Sequence, residues 1–178
     1  MRQVIFSGWV LLLVSLGIAR SGSLVQAPEP EPEVTDRGRY LTEVVGGCID
    51  CHTPHQDGQP DRSRLFAGHP QDAPAPRWDP AFSESNIGLV IGSSGTAFAG
   101  PRGVSFASNL TPDPNTGIGS WNEALFIRTM RRGDFQMPMP SHLRELSRGD
   151  LKAIWAYLQT LKPIYNGVPK SRLLEAPQ

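Results

Sequence analysis

Three residues of this chain combine a reactive type with a telling spacing: Cys48, Cys51 and His52, in the stretch GGCIDCHTPHQDG from Gly46 to Gly58. They include both of its 2 cysteines. Four chemistries use such a set. A structural zinc ion asks for four Cys or His ligands; His52, His55, His69 and His142 are at hand, but no two are spaced as in a zinc finger. A redox dithiol of the thioredoxin type opens a helix after a strand in a βαβ unit, whereas here the motif comes after a helical pattern. A disulfide across two intervening residues closes too short a loop to constrain the unfolded chain much. The fourth is covalent haem attachment. Two thiols one helical turn apart reach the two vinyl groups on one porphyrin edge, and the next residue, His52, turns its imidazole to the iron. Only this chemistry uses every residue of the motif.

An iron held by His52 has a second face. Met130, Met137, Met139, His55, His69 and His142 are the candidates to occupy it. Met130 falls on the apolar side of a helical pattern and reads as core. His55 is only three residues from His52 and cannot reach the far face. His69 and His142 sit in polar loops. Met137 and Met139 lie in QMPMP, where the prolines keep the chain extended, and either would present a thioether. A His/Met pair raises the potential and leaves no open position on the iron.

The elements that must position these groups can be read around them. Asp36 to Val45 carries Tyr40, Leu41, Val44 and Val45 as one apolar stripe, ended by Gly46-Gly47. Ser120 and Glu123 form a capping-box pattern before Trp121, Ala124, Leu125, Ile127 and Met130, and Arg131, Arg132 and Gly133 suit the helix end. Ser147 and Asp150 cap a last helix with Leu151, Ile154, Trp155 and Leu158 on one face, stopped by Pro163. Between His55 and Ser108 there is little periodicity. Short strands are expected near Ile87–Ile91 and Val104–Ala107, and a stretch this long without clear elements is usually functional or wrapped around something.

With 178 residues the chain is long enough for one compact domain plus extras. Its formal net charge of zero gives no nucleic-acid footprint. Glycine (18) and proline (17) point to a loop-rich fold held by a few helices. Residues 1–27 read as a signal peptide or an N-terminal anchor: Arg2, an uncharged apolar run from Val4 to Ala19, and the small residues of Val25-Gln26-Ala27. Either reading places the rest of the chain outside the cytoplasm, in the periplasm. Residues 28–35, within a Pro/Glu alternation, are expected to form an extended spacer, residues 36–169 the domain, and residues 170–178 a tail.

The stretches YLTEVVGGCIDCHTP, SNLTPDPNTGIGSW, MPMP and LKAIWAYLQTLKPIYNGVP together resemble class I c-type cytochromes. The likeness is greatest to the single-haem modules in cytochrome c subunits of periplasmic alcohol and aldehyde dehydrogenases, and it covers roughly residues 36–169. The resemblance implies a mostly α fold, a few helices wrapped around one covalent haem c, with a long Gly/Pro-rich insert from about Gln59 to Gly100. It implies that the first and last helices cross near Tyr40 and Trp155 or Tyr157. Asn109 and Thr111 would lie at a haem propionate, with Trp121 packed nearby. The family's P-x-M-P pattern makes Met139 the second ligand, with Met137 chosen by a shifted register. The implied role is single-electron transfer without catalysis, from a dehydrogenase to a terminal oxidase or another cytochrome. Rival readings are a haem enzyme or gas sensor with an open second face, and an electron-transfer subunit tethered to a dehydrogenase by residues 1–27.

Overall fold

The computed structural model describes residues 31–79, 89–133 and 139–173. Among them are four α-helices: α1 Pro32–Tyr40, α2 Cys48–His52, α3 Glu123–Arg132 and α4 Arg148–Thr160. A wider π-type turn, Leu41–Val45, links α1 to α2. Short strands form two antiparallel sheets. β1 (His55–Gln56) pairs with β2 (Gln59–Pro60). β3 (Val90–Ile91), β4 (Ala97–Gly100), β5 (Gly103–Phe106) and β6 (Arg172–Leu173) make the second, in that order. No described helix is long and apolar enough to cross a membrane.

The first helix starts at Pro32, four residues before the sequence pattern and inside the expected spacer. Proline is tolerated there because the N–H it lacks would have no partner in the first turn. The expected apolar stripe is also rearranged. Leu41 is buried, but Tyr40, Val44 and Val45 are more than half exposed, and Gly38 and Thr42 face inward instead. Tyr40 lies in α1 off the face that Gly38, Leu41 and Thr42 bury, and the π-type turn that follows inserts a residue and rotates Val44 and Val45 out of the 3.6-residue register. α1 crosses α4 at Gly38, where a Cβ would sit 2.0 Å from the Ala153 carbonyl oxygen and 2.7 Å from Tyr157 Cβ. Tyr157 is therefore at the crossing as expected, while Tyr40 stacks outside on Arg37. Arg37 also donates twice to Asp150 Oδ1, tying α1 to the first turn of α4.

α4 obeys its sequence pattern. Ser147 Oγ accepts from the Asp150 N–H at 3.0 Å, and Leu151, Ile154 and Leu158 are buried. Each such side chain contributes about 1.5–3 kcal/mol by leaving water. α3 begins later than its capping box suggested: Asn122, not Ser120, accepts from Leu125 N. Asn caps as well as Ser, and the Trp121 N–H is already spent on the Ile118 carbonyl in the preceding turn. Arg172–Leu173, read as tail, is the edge strand of the four-stranded sheet.

Because backbone rather than a flexible side chain faces Gly38, Gly38→Ala must separate α1 from α4. A loss of about 1–3 kcal/mol or more is expected from overpacking, seen as a lowered urea midpoint by far-UV circular dichroism. A midpoint equal to wild type would show that the helices do not meet there.

Candidate functional site

Cys48, Cys51 and His52 all lie on α2, one and a half turns long. Cys48 and Cys51 are three residues apart and so share a face; both are free and half-buried. Burial pushes the Cys48 thiol up to about 11, with Cys51 and Asp50 adding to the rise. Burial, then the Asp50 charge, raises Cys51 too. Thiols held protonated at neutral pH are poor attacking groups in disulfide exchange, which argues against a redox dithiol. No group of three or more His, Cys, Asp or Glu among the described residues could hold a metal ion.

His52 is fixed by an informative bond. Its Nδ1–H donates to the Ser108 carbonyl oxygen at 2.8 Å. A carbonyl only accepts, so Nδ1 carries the proton and Nε2 keeps its lone pair. Burial lowers the imidazole's pKa, opposed only in part by that bond, so the ring is neutral. A neutral histidine with one nitrogen anchored and the other free is the form that ligates a metal.

The other nitrogen and sulfur candidates are sorted by their surroundings. His55 Nε2–H donates to the Asp50 carbonyl at 3.0 Å. His69 is wholly buried, with Nδ1 facing Thr96 Oγ1 at 3.0 Å and Nε2–H donating to Ala73 O at 3.2 Å. His142 is exposed. Met130 is buried in the core, as its helical position indicated. Met139 is half-buried against that same core, together with Cys48, Leu110 and Trp121. Met137 lies outside the described residues. Cys48, Leu65, Leu110, Trp121 and Met139 are all partly buried against the core, and a neutral imidazole, two thiols and a thioether are the donor types a haem c takes.

Asn109 and Thr111 both have partners within the protein. Asn109 Oδ1 accepts from Thr111 N (2.9 Å) and Thr111 Oγ1 (2.7 Å). Its Nδ2 donates to Thr116 Oγ1 (3.1 Å) and the Ile164 carbonyl (2.8 Å). Thr111 Oγ1 in turn accepts from Ile164 N at 3.1 Å. Both residues are buried, and their polar atoms are spent on holding the N-L-T-P-D-P loop to the segment after α4. Asp113 closes the loop, its Oδ1 accepting from Asn115 N, Thr116 N and Thr116 Oγ1.

No protein-family model matches the chain. It is 28% identical over 166 residues to the cytochrome c subunit of a quinone alcohol dehydrogenase of Gluconobacter oxydans, covering 88% of this chain and 28% of that protein. It is 27% identical over 174 residues to the fructose dehydrogenase cytochrome subunit of Gluconobacter japonicus, covering 92% and 29%. It is 30% identical over 129 residues to the gluconate 2-dehydrogenase cytochrome c subunit of Pantoea cypripedii, covering 68% and 22%. The chain thus spans under a third of the length of these relatives. Together with the motif, they support a c-type cytochrome module over most of the chain.

The sequence pointed to the motif and to the N-L-T-P-D-P loop. It did not point to Ser108, because a backbone carbonyl has no residue-type signature. Asn109→Ala leaves the Thr111 N–H and the Ile164 carbonyl short of a buried partner. A loss of about 2–4 kcal/mol is expected, checked by the denaturation midpoint; a change within about 0.5 kcal/mol would mean solvent replaces those bonds.

Asp113 supplies a pH signature. Hydrogen bonds from Thr116 hold its carboxyl below the usual range, with Asn115 adding to them. Its contribution to stability is complete above about pH 4, the unfolded value, and disappears as pH falls through the lower folded value. Asp113→Asn should lower the denaturation midpoint near neutral pH and narrow the gap between the neutral and acid midpoints. An undiminished gap would assign the acid loss to other carboxylates.

Proposed function

We propose that this chain is a single-haem, exported c-type cytochrome that carries electrons one at a time. The observation behind this reading is α2 itself: two free thiols on one face, and next to them a histidine whose Nδ1–H is locked to Ser108 O and whose Nε2 is free. Cys48 and Cys51 would hold the haem covalently through their sulfurs. His52 Nε2 would ligate one face of the iron, and Met139, with Met137 as the alternative, the other. A haem c so held supplies a one-electron ferric/ferrous couple.

The protein's own part is to keep that couple dry, closed and tuned. Leu65, Leu110 and Trp121, partly buried against the core, would provide apolar surface that keeps water from the ring, and burial favours the neutral form of His52. A methionine sulfur on the far face would leave no open position, which favours electron transfer over substrate or gas binding.

The relatives are cytochrome subunits of alcohol, fructose and gluconate dehydrogenases. That likeness supports a dehydrogenase as donor. A terminal oxidase or another cytochrome is the acceptor in this reading, met through a small transient interface. The apolar run of residues 1–27 supports export to the periplasm, with or without a retained membrane tether.

The decisive experiment takes optical spectra of the exported protein, oxidised, reduced and with carbon monoxide. A low-spin spectrum, a far-red methionine-to-iron band and indifference to carbon monoxide are expected. Met139→Ala should lose the far-red band and gain carbon monoxide binding, while Cys48→Ala/Cys51→Ala should lose haem staining after denaturing electrophoresis. A high-spin wild type that binds carbon monoxide readily would favour the haem enzyme or gas sensor.

A further inference from the structure

A second buried asparagine sits on the far side of the segment that backs His52. Residues 66–69 are threaded between the end of α2 and residues 107–110. On one side, Phe66 N–H donates to Thr53 Oγ1 at 3.0 Å and Gly68 N–H to the His52 carbonyl at 2.8 Å. On the other, Leu110 N–H donates to Phe66 O and His69 N–H to Ala107 O, each at 2.9 Å. Gly68 has φ +75 and presses on the Ser108 peptide so closely that a Cβ would lie 2.6 Å from Ser108 C. That peptide carries the oxygen that anchors His52 Nδ1.

Asn166 holds this segment in place. It lies in the loop after α4 and is 5% exposed. Its Nδ2 donates to Ala67 O at 2.7 Å and to His69 O at 2.8 Å, the two carbonyls that flank Gly68. Its Oδ1 accepts from Gln71 N at 3.2 Å, and its own N–H donates to Thr116 Oγ1 at 3.0 Å. The side chain therefore bonds along one short run of backbone, the run that abuts both ends of the His52 anchor.

We infer that Asn166 is a positioning residue for His52: through Ala67, Gly68 and His69 it fixes the Ser108 carbonyl, and so the orientation and donor strength of the imidazole. The inference rests on the reading of His52 as haem ligand. A firm Nδ1–H···O bond makes the ring a better electron donor, which favours the oxidised metal and lowers the potential. Loosening the Ser108 carbonyl should raise it.

The test is Asn166→Ala, prepared as the exported haem protein beside wild type and Ser171→Ala. Ser171 serves as control because its hydroxyl accepts from Phe106 N, on β5, rather than holding residues 66–69. Three signals are read: the midpoint potential, the hyperfine-shifted resonances of the His52 ring, and solvent exchange of its Nδ1 proton. Expected for Asn166→Ala are a raised potential, displaced ring resonances and exchange faster by about tenfold or more, the scale of losing two buried hydrogen bonds. Ser171→Ala should match wild type in all three. A lowered denaturation midpoint with the potential, resonances and exchange unchanged would overturn the inference and leave Asn166 a purely structural residue. Should Asn166→Ala not accumulate with haem, Asn166→Asp is read by the same signals; it keeps an acceptor for Gln71 N but loses the amide donors to Ala67 and His69. Absence of covalent haem from wild type would overturn the cytochrome reading itself, and this inference with it; the wild-type sample alone reports that outcome.

Discussion

The 2.8 Å bond from His52 Nδ1–H to the Ser108 carbonyl ties two segments 56 residues apart. It sets the tautomer of the ring, keeps the other nitrogen free, and fixes the plane in which that nitrogen points. Most of the polar architecture surrounds its acceptor. Asn109, next in the chain, binds Thr111 and the Ile164 carbonyl. Thr116 Oγ1 accepts from both Asn109 Nδ2 and Asn166 N, and Asp113 holds Thr116 in turn. Asn109, Thr111, Asp113 and Asn166 are buried and Thr116 half-buried, and such satisfied networks make a local backbone rigid because each member left alone would cost the desolvation of its neighbours.

The backbone carries strain at the same place. Phe66 has φ 58 although it has a bulky side chain. Such a conformation costs on the order of 1–3 kcal/mol. It is offset by complete burial of the Phe66 ring, edge-on to Tyr157 at 6.2 Å, and by backbone hydrogen bonds on both sides. The unusual turn lets residues 66–69 reach His52 and the Ser108 peptide together. The described parts of the long Gly/Pro-rich insert thus have a structural use: they back the histidine and then form β3 and β4, which lead into β5 and Ser108.

The helices serve the same end from the other side. Gly38 lets α1 approach α4, and Tyr157 donates to Glu43 at 2.5 Å, while Glu43 also pairs with Arg62 at 3.2 Å. The π-type turn after α1 leads through Gly46 and Gly47, the latter with φ 59, into α2. Exposed pairs such as Arg37–Asp150 contribute little on their own; they orient α1 on α4, and apolar burial supplies most of the stability.

What the sequence by itself determined is local. C-x-x-C-H occupies five consecutive residues, so one short helix places both thiols on one face and the histidine beside them whatever the rest of the chain does. The last helix was equally readable, because its Ser147 cap and 3.6-residue apolar period are both contained in its own residues. The tertiary structure alone decided the rest. Val44 and Val45 turned outward because one inserted residue in the π-type turn rotated the stripe. Asn109 and Thr111 proved to bond to each other and to Ile164, a partner more than fifty residues away. Ser108 meets His52 across 56 residues, and Asn166 reaches the Ala67 and His69 carbonyls across 99 and 97. Any residue can offer a carbonyl, so no pattern of side-chain types marks which one will meet the histidine; only the folded path of the chain does.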